Sequence, residues 1–155
     1  MARNRPEEIE QAAVFEMAKW NYGRYPELEL MYHVPNGGQR TKAEAAILNG
    51  QGVNPGVMDI VLPVARRGFL QLAIEMKAPG KLSTTTPAQE FHLLRWHEEG
   101  ALTLVCDSGE AAWKVIEWYV SPMYFDRGIE HFLTDLGLRK HVKMGSTFGI
   151  KKAPR

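Results

Sequence analysis

The spacing of apolar residues predicts four helices. The first helix is predicted at residues 5–23, because Pro6 suits an initial helical turn and apolar residues recur at helical intervals. The second, at 41–50, is short and begins with a capping box between Thr41 and Glu44. The apolar stripe of the first helix is expected to consist of Ile9, Ala13, Met17 and Trp20, and the remaining helices are expected at 86–99 and 109–120.

Alternating apolar and polar residues predict strands between these helices. A strand at 28–34 precedes the turn "PNGG", and strands at 58–63 and 69–77 are joined by "ARRG" at a spacing that permits a hairpin. The strand at 101–106 follows a helix, so it is expected to be reached by a helical crossover. The order α, β, short α, β, β, α, β, α predicts an α/β fold with a mixed sheet covered by helices.

Length and composition suit one domain. The chain has 155 residues, of which 45% are apolar, and its 19 basic residues nearly balance its 18 acidic ones. Residues 139–155, however, contain six Lys or Arg and no acid. Because these basic residues are expected to lack acidic partners, the segment is either a solvated chain end or an arm that contacts phosphates.

The sequence argues against disulfides, structural zinc and membrane insertion. The single cysteine, Cys106, cannot form an internal disulfide and is expected in the core, and no Cys/His cluster suggests zinc. No apolar run approaches the roughly 18 residues that span a bilayer, and the first residues lack the apolar segment of a secretory signal. We therefore expect an intracellular, cytoplasmic protein, in the host cytoplasm if the chain is phage-encoded.

Three charged residues lie on strands that are otherwise apolar. Asp59 follows the Pro55-Gly56 turn, and Glu75 and Lys77 share one face of the next strand because side chains alternate. Such a combination alone is more often a surface ion pair and a turn acid, but the turn, the two strands and the capped helix that follows favour a site. Two facing carboxylates repel unless a cation separates them, and a few oxygen ligands suit Mg²⁺ or Mn²⁺ rather than Zn²⁺.

Six segments carry a resemblance to a known family: "EEIEQAAVF", "HVPNGGQR", "GVNPGVMDIVLPV", "LAIEMKAPG", "TPAQEFHLLRWHEEGA" and "WKVIEWYV". In this order and with these gaps they resemble the PD-(D/E)XK nuclease superfamily and, within it, the virus-type replication-repair nuclease (VRR-NUC) domain. One departure is Met58, where the family usually has proline. The resemblance implies a restriction-endonuclease-like fold, with the VRR-NUC domain at 1–120. Residues 121–155 lie outside the resemblance and are expected to form a C-terminal extension, with its basic tail, that packs on or is contiguous with the same domain.

The resemblance also implies a reaction, the hydrolysis of DNA phosphodiester bonds by a metal-activated water. Asp59, Glu75 and the backbone carbonyl of Met76 would hold Mg²⁺ or Mn²⁺, and Lys77 would steady the attacking hydroxide. It further implies a homodimer that acts on branched DNA such as four-way junctions, in DNA repair, without a nucleotide cofactor. The alternatives are a catalytically silent DNA-binding module of the same fold and an unrelated protein that binds a phosphorylated small molecule. The latter is disfavoured because no glycine-rich loop leads into a helix.

The first helix offers a further acid. Glu8 and Gln11 are three residues apart, so they share a helix face and are expected to point at the metal, Glu8 through a water molecule. Glu10 is the nearby alternative and Glu16 a weaker one. An acid in the first helical turn is also favourable for helix-dipole reasons alone.

Gln89 has two interpretations. It matches the glutamine that follows the ExK motif in the family, and it occupies the third position of a capping box that begins at Thr86. A helix start near the metal is also a reasonable phosphate site. The residues expected to contact DNA are Gln11, Asn36, Gln39, Arg40 and Lys81, although a plain turn is the alternative for the "PNGGQR" loop.

Overall fold

A computed structural model of the chain describes residues 5–36, 40–124 and 127–149. Within these ranges the chain forms five α-helices and a five-stranded sheet. No helix there is both long and apolar enough to cross a bilayer. The helices are α1 (Pro6–Trp20), α2 (Lys42–Gly50), α3 (Pro87–Glu98), α4 (Gly109–Val120) and α5 (Ile129–Asp135), and the strands are β1 (Tyr32–His33), β2 (Ile60–Leu62), β3 (Leu72–Met76), β4 (Leu102–Cys106) and β5 (Val142–Met144).

The strands lie across the sheet in chain order, from β1 to β5. β3 and β4 are parallel, since α3 crosses between them, and the pairings of β1 with β2, β2 with β3 and β4 with β5 are antiparallel. A bridge between Arg66 and Phe69 closes the turn that joins β2 to β3. The predicted α/β fold is confirmed, with its mixed sheet, its hairpin and its helical crossover.

Side chains of β3 alternate between two buried layers. Leu72, Ile74 and Met76 belong to the larger core on the side of α1 and α4. Ala73 belongs to a smaller cluster that includes Leu93 of α3. Because Glu75 comes two residues after Ala73, its side chain emerges on the α3 face, at the end of the strand.

Helix α1 buries a different face from the expected one. Val14 is fully buried, whereas Ile9 is 63% and Trp20 82% exposed. Helical spacing places Glu7 and Gln11 on the same side as Val14, and both are half-buried. The expected apolar stripe is therefore wrong at Ile9 and Trp20, whereas Met17 does pack against the larger core. The face of α1 that is most buried begins with polar residues and continues with small apolar ones.

The segment at 28–34 is a strand only at Tyr32–His33. Residues Pro26–Leu30 form a 3₁₀ helix instead, with proline in its first turn. Leu28 and Met31 are buried and three residues apart, so the apolar pattern that suggested alternation also fits one helical turn.

Residues 127–149 continue the same sheet. The sequence did not predict β5, which pairs with β4. Just beyond β5, Gly145 packs so closely that an added Cβ would lie 1.8 Å from Oγ1 of Thr103. Arg139 forms a salt bridge with Glu130, so the expectation that the basic residues lack acidic partners is wrong for Arg139. Lys151, Lys152 and Arg155 lie outside the described residues.

Candidate active site at the end of the central strands

Asp59 and Glu75 lie opposite each other at one end of the sheet. Ile60 and Ile74 are antiparallel partners, so the next pair outward consists of Asp59 and Glu75. Cβ atoms of directly opposite residues are about 5 Å apart. Asp59 Oδ2 also accepts a hydrogen bond of 2.8 Å from the backbone N–H of Met76, which fixes its carboxylate against β3. The two carboxylates therefore converge.

The glycine turn before Asp59 is tightly packed. Gly56 has a φ of +87°, a conformation that favours glycine, and a Cβ added there would lie 2.5 Å from the backbone carbon of Ala88 in α3. The turn and the first residues of α3 are thus in close contact. This contact holds the start of α3 beside the strand end that carries Asp59.

Lys77 and Gln89 complete a hydrogen-bonded network around Glu75. Lys77 Nζ donates to Glu75 Oε1 at 3.1 Å and to Gln89 Oε1 at 2.9 Å. Gln89 Nε2 donates to the same oxygen of Glu75. The side chain of Gln89 also accepts from the backbone N–H of Thr86 at 2.9 Å, as the capping box requires. Gln89 therefore both caps α3 and contacts two of the candidate site residues.

Burial governs the electrostatics of the acid pair. Glu75 is 2% and Lys77 7% exposed. Burial, with the nearby charge of Asp59, raises the pKa of Glu75 to about 8, while Lys77 opposes that rise. Burial also raises the pKa of Asp59, and its hydrogen bond from Met76 acts in the opposite direction. A buried acid, Glu75, and a partly buried one, Asp59, both resist ionisation, and a bound cation would relieve this.

The donor atoms suit a divalent cation with few protein ligands. Within the described residues, neither Asp59 Oδ1 nor Glu75 Oε2 accepts a hydrogen bond. Across the same part of the chain, His, Cys, Asp and Glu side chains form no group of three or more that could hold a metal ion. A pair of carboxylates is the protein contribution that Mg²⁺ commonly uses, with water filling the other positions. The residues present therefore fit such an ion.

The structure does not bring Glu8 into the hydrogen-bonded network around Glu75. Glu8 forms a salt bridge with Arg5 and its side chain is 63% exposed. Glu7 is half-buried, and its pKa is raised by burial and then by Asp59, whereas Lys77 lowers it. Glu7 is thus the acid of α1 that interacts electrostatically with the candidate site. Its separation of four residues from Gln11 was the signal that sequence reasoning missed.

Glu10 has a structural role. Its Oε2 accepts a hydrogen bond of 2.6 Å from the backbone N–H of Gly109, at the start of α4. A Cβ added to Gly109 would lie 2.5 Å from the carbonyl oxygen of Glu10, so glycine is what lets α1 approach α4. Glu10 therefore helps to seat the N-terminal end of α1, which carries Glu7.

The residues expected to contact DNA lie in several environments. Asn36 donates from its side chain to the carbonyl of Val57 at 3.0 Å, so it anchors its loop to the segment before Asp59. Arg40 and Lys81 are exposed, whereas Gln39 lies outside the described residues. Gln11 is half-buried on the α1 face that carries Glu7.

A mixed sheet flanked by helices, with two acids and a lysine at the ends of adjacent strands, defines the class of restriction-endonuclease-like nuclease folds. A solved structure described as a "VRR_NUC domain protein" has the same fold, with a TM-score of 0.62 and 26% sequence identity over 76% of this chain and 90% of that chain. The resemblance to the VRR-NUC domain is therefore confirmed. No protein-family model and no curated protein matches the chain.

Proposed function

We propose that this chain is a metal-dependent endonuclease that hydrolyses DNA phosphodiester bonds. The observation that carries the proposal is the convergence of Asp59, Glu75, Lys77 and Gln89 at one end of the sheet. The fold, shared with a VRR_NUC domain protein, supports the same conclusion.

Asp59 and Glu75 would hold Mg²⁺ or Mn²⁺, with the backbone carbonyl of Met76 as a further ligand. The ion would polarise the phosphate and lower the pKa of a bound water. Asp59 is oriented by its hydrogen bond from the Met76 N–H, and Glu75 by its bonds from Lys77 and Gln89. Each acid therefore has one anchored oxygen and a second that can turn to a ligand.

Lys77 supplies a fixed positive charge beside these acids. Its ammonium is held by Glu75 and Gln89, so it occupies one position rather than many. From there it can donate to the attacking water or to a phosphate oxygen and offset the charge that develops at phosphorus. Arginine would be a poor substitute, because Lys77 acts as a compact point charge in a nearly closed space.

A silent DNA-binding module of this fold is the second candidate. Burying Glu75 and Lys77 costs stability, because the desolvation penalty of a buried ion pair often exceeds its attraction. A protein that only bound DNA would gain nothing from this arrangement, which favours the catalytic function.

Branched DNA, such as a four-way junction, is the proposed substrate, and a homodimer the proposed assembly. Two symmetric cuts across a junction require two active sites related by a two-fold axis. The VRR-NUC resemblance supports this part of the proposal. A monomer in light scattering at working concentration would exclude the paired-cut mechanism.

The proposal is tested by cleavage of matched linear, flap, forked and four-way DNA with Mg²⁺ and with Mn²⁺. Asp59→Asn, Glu75→Gln and Lys77→Ala are each expected to abolish cleavage while DNA affinity changes by less than about threefold, because phosphate contacts outside the site remain. Glu29→Gln, which replaces an exposed acid outside the site, is the matched control. Metal-dependent cleavage by Glu75→Gln or Lys77→Ala at the unmodified rate would refute the assignment.

A further inference from the structure

A buried acid outside the candidate site, Asp107, lies immediately after β4. It is 4% exposed. Asp107 Oδ2 accepts a hydrogen bond of 3.1 Å from the backbone N–H of Gly80, and Asp107 Oδ1 lies 2.9 Å from Nδ1 of His141. One carboxylate thus joins the loop after β3 to the residue before β5.

The loop that Asp107 binds is a β-turn. The N–H of Lys81 donates to the carbonyl of Ala78 at 2.9 Å, with Pro79 and Gly80 at the central positions. Gly80 has a φ of +77°, which a type II turn requires at its third position. The turn's own hydrogen bond does not use the N–H of Gly80, so this donor is available to Asp107.

This turn is directly connected to Lys77. The backbone N–H of Lys77 donates to the carbonyl of Cys106 at 2.8 Å, and Asp107 is the next residue along that strand. Only Ala78 and Pro79 separate Lys77 from Gly80. The backbone is therefore fixed on both sides of this short stretch, at Lys77 by β4 and at Gly80 by Asp107.

His141 supports the carboxylate from the other side. The backbone N–H of Asp107 donates to the carbonyl of His141 at 3.2 Å, so main chain and side chain join the same two residues. The ring is partly exposed, in a recess that Glu110, Lys114 and Lys140 also line. With His141 on Oδ1 and Gly80 on Oδ2, both oxygens of the buried acid are bonded, as burial demands.

We propose that Asp107 is a positioning residue for the nuclease reaction, which holds the Pro79–Gly80 turn and thereby keeps Lys77 in a fixed position beside the acid pair. This inference rests on the proposed nuclease function. The competing explanation is a carboxylate that only stabilises the fold. The two explanations predict different results for a folded variant that lacks the carboxylate. Turnover falls if Asp107 is a positioning residue, and it is kept if Asp107 only stabilises the fold.

The kinetic test compares Asp107→Ala with Asp107→Asn, at a temperature where both are folded by circular dichroism. Asparagine keeps a carbonyl for Gly80 and an amide for His141, whereas alanine keeps neither. Asp107→Ala is expected to lower kcat at saturating DNA at least tenfold, with KM and metal-free DNA affinity changed less than threefold, and Asp107→Asn to recover most of kcat. Glu110→Ala, on the exposed side of the same recess, is the control. Unchanged kcat in folded Asp107→Ala would overturn the inference.

A second readout does not depend on activity. Hydrogen exchange of the Gly80 amide, resolved by NMR, is expected to quicken at least tenfold in Asp107→Ala and less than threefold in Asp107→Asn. If the unmodified protein cleaves DNA but Gly80 exchange and kcat are the same in Asp107→Ala, the inference fails and the nuclease proposal stands. If the unmodified protein cleaves no DNA, the nuclease proposal fails. A positioning role of Asp107 in that reaction then fails as well, even if the Gly80 amide exchanges faster in Asp107→Ala.

Discussion

Replacing Glu75 by glutamine should remove a pH-dependent loss of stability from the metal-free protein. The pKa of Glu75 is raised from 4.5 to about 8 by burial and by Asp59. Between these values the folded chain holds a proton that the unfolded chain has released. Stability is therefore greatest below the unfolded pKa and falls as pH rises towards about 8. Glutamine resembles the protonated acid and cannot ionise, so the variant should not show this fall.

The size of the effect follows from the structure. The interval between 4.5 and about 8 sets an upper bound of about 5 kcal/mol, at about 1.4 kcal/mol per pH unit. Because Asp59 titrates as part of the same pair, about half of that bound, 2 to 3 kcal/mol, is a realistic expectation. For a chain of this size each kcal/mol shifts Tm by about 2–4 °C, so the expected difference is roughly 5–10 °C.

Thermal unfolding in EDTA across about pH 5.5 to 9 measures this difference. Tm of the unmodified protein relative to Glu75→Gln should fall from the acid end of this range to about pH 8 and then level off, since steric effects of glutamine do not depend on pH. Glu29→Gln, which replaces an exposed acid, should follow the unmodified protein. Mg²⁺ added at the alkaline end should restore Tm in the unmodified protein but not in Glu75→Gln, because binding to the folded state stabilises it. A Tm difference that stays constant with pH would refute the reasoning.

Three further predictions concern other parts of the chain. Glu7→Gln should lower the cleavage rate about tenfold or more and Glu8→Gln less than threefold, because only Glu7 interacts with the acid pair; the reverse order would return the role to Glu8. Gly56→Ala should lower the free energy of unfolding, measured in urea, by at least about 2 kcal/mol more than Gly52→Ala. Both glycines have positive φ, but only Gly56 packs against α3, so equal losses of stability in the two variants would contradict that packing. Removal of residues 150–155 tests the phosphate-contacting arm: each lost contact should reduce the dependence of log affinity on log salt by about 0.9, and an unchanged slope would assign this segment as a solvated end.

Local features of the fold were predictable from short stretches of sequence. Thr41 with Glu44 and Thr86 with Gln89 form the expected capping boxes, because each is closed by residues three apart. Asp59, Glu75 and Lys77 were placed together because period-two alternation and a hairpin suffice to bring them to one strand end. The relative positions of these three residues therefore depend little on the rest of the chain.

The features that were missed depend on distant residues. Nothing in the residues of α1 alone decides whether Ile9 or Glu7 faces inward, because that choice is made by α4, through the approach of Glu10 to Gly109. β5 has three residues and becomes a strand only by pairing with β4. Asp107 reads as an ordinary acid after a strand, since Gly80 and His141, which give it a role, are 27 and 34 positions away.

The shared oxygen of Gln89 makes the order of the candidate site depend on the fraying of a helix end. Gln89 Oε1 accepts from the Thr86 N–H that starts α3 and also from Lys77 Nζ. When the first turn of α3 opens, as helix ends do within nanoseconds to microseconds, the ammonium of Lys77 loses one of its two anchors. The rigidity of a buried lysine is thus limited by a surface turn. A substitution at Thr86, which contacts neither acid, would alter the position of the Lys77 ammonium through the dynamics of that turn.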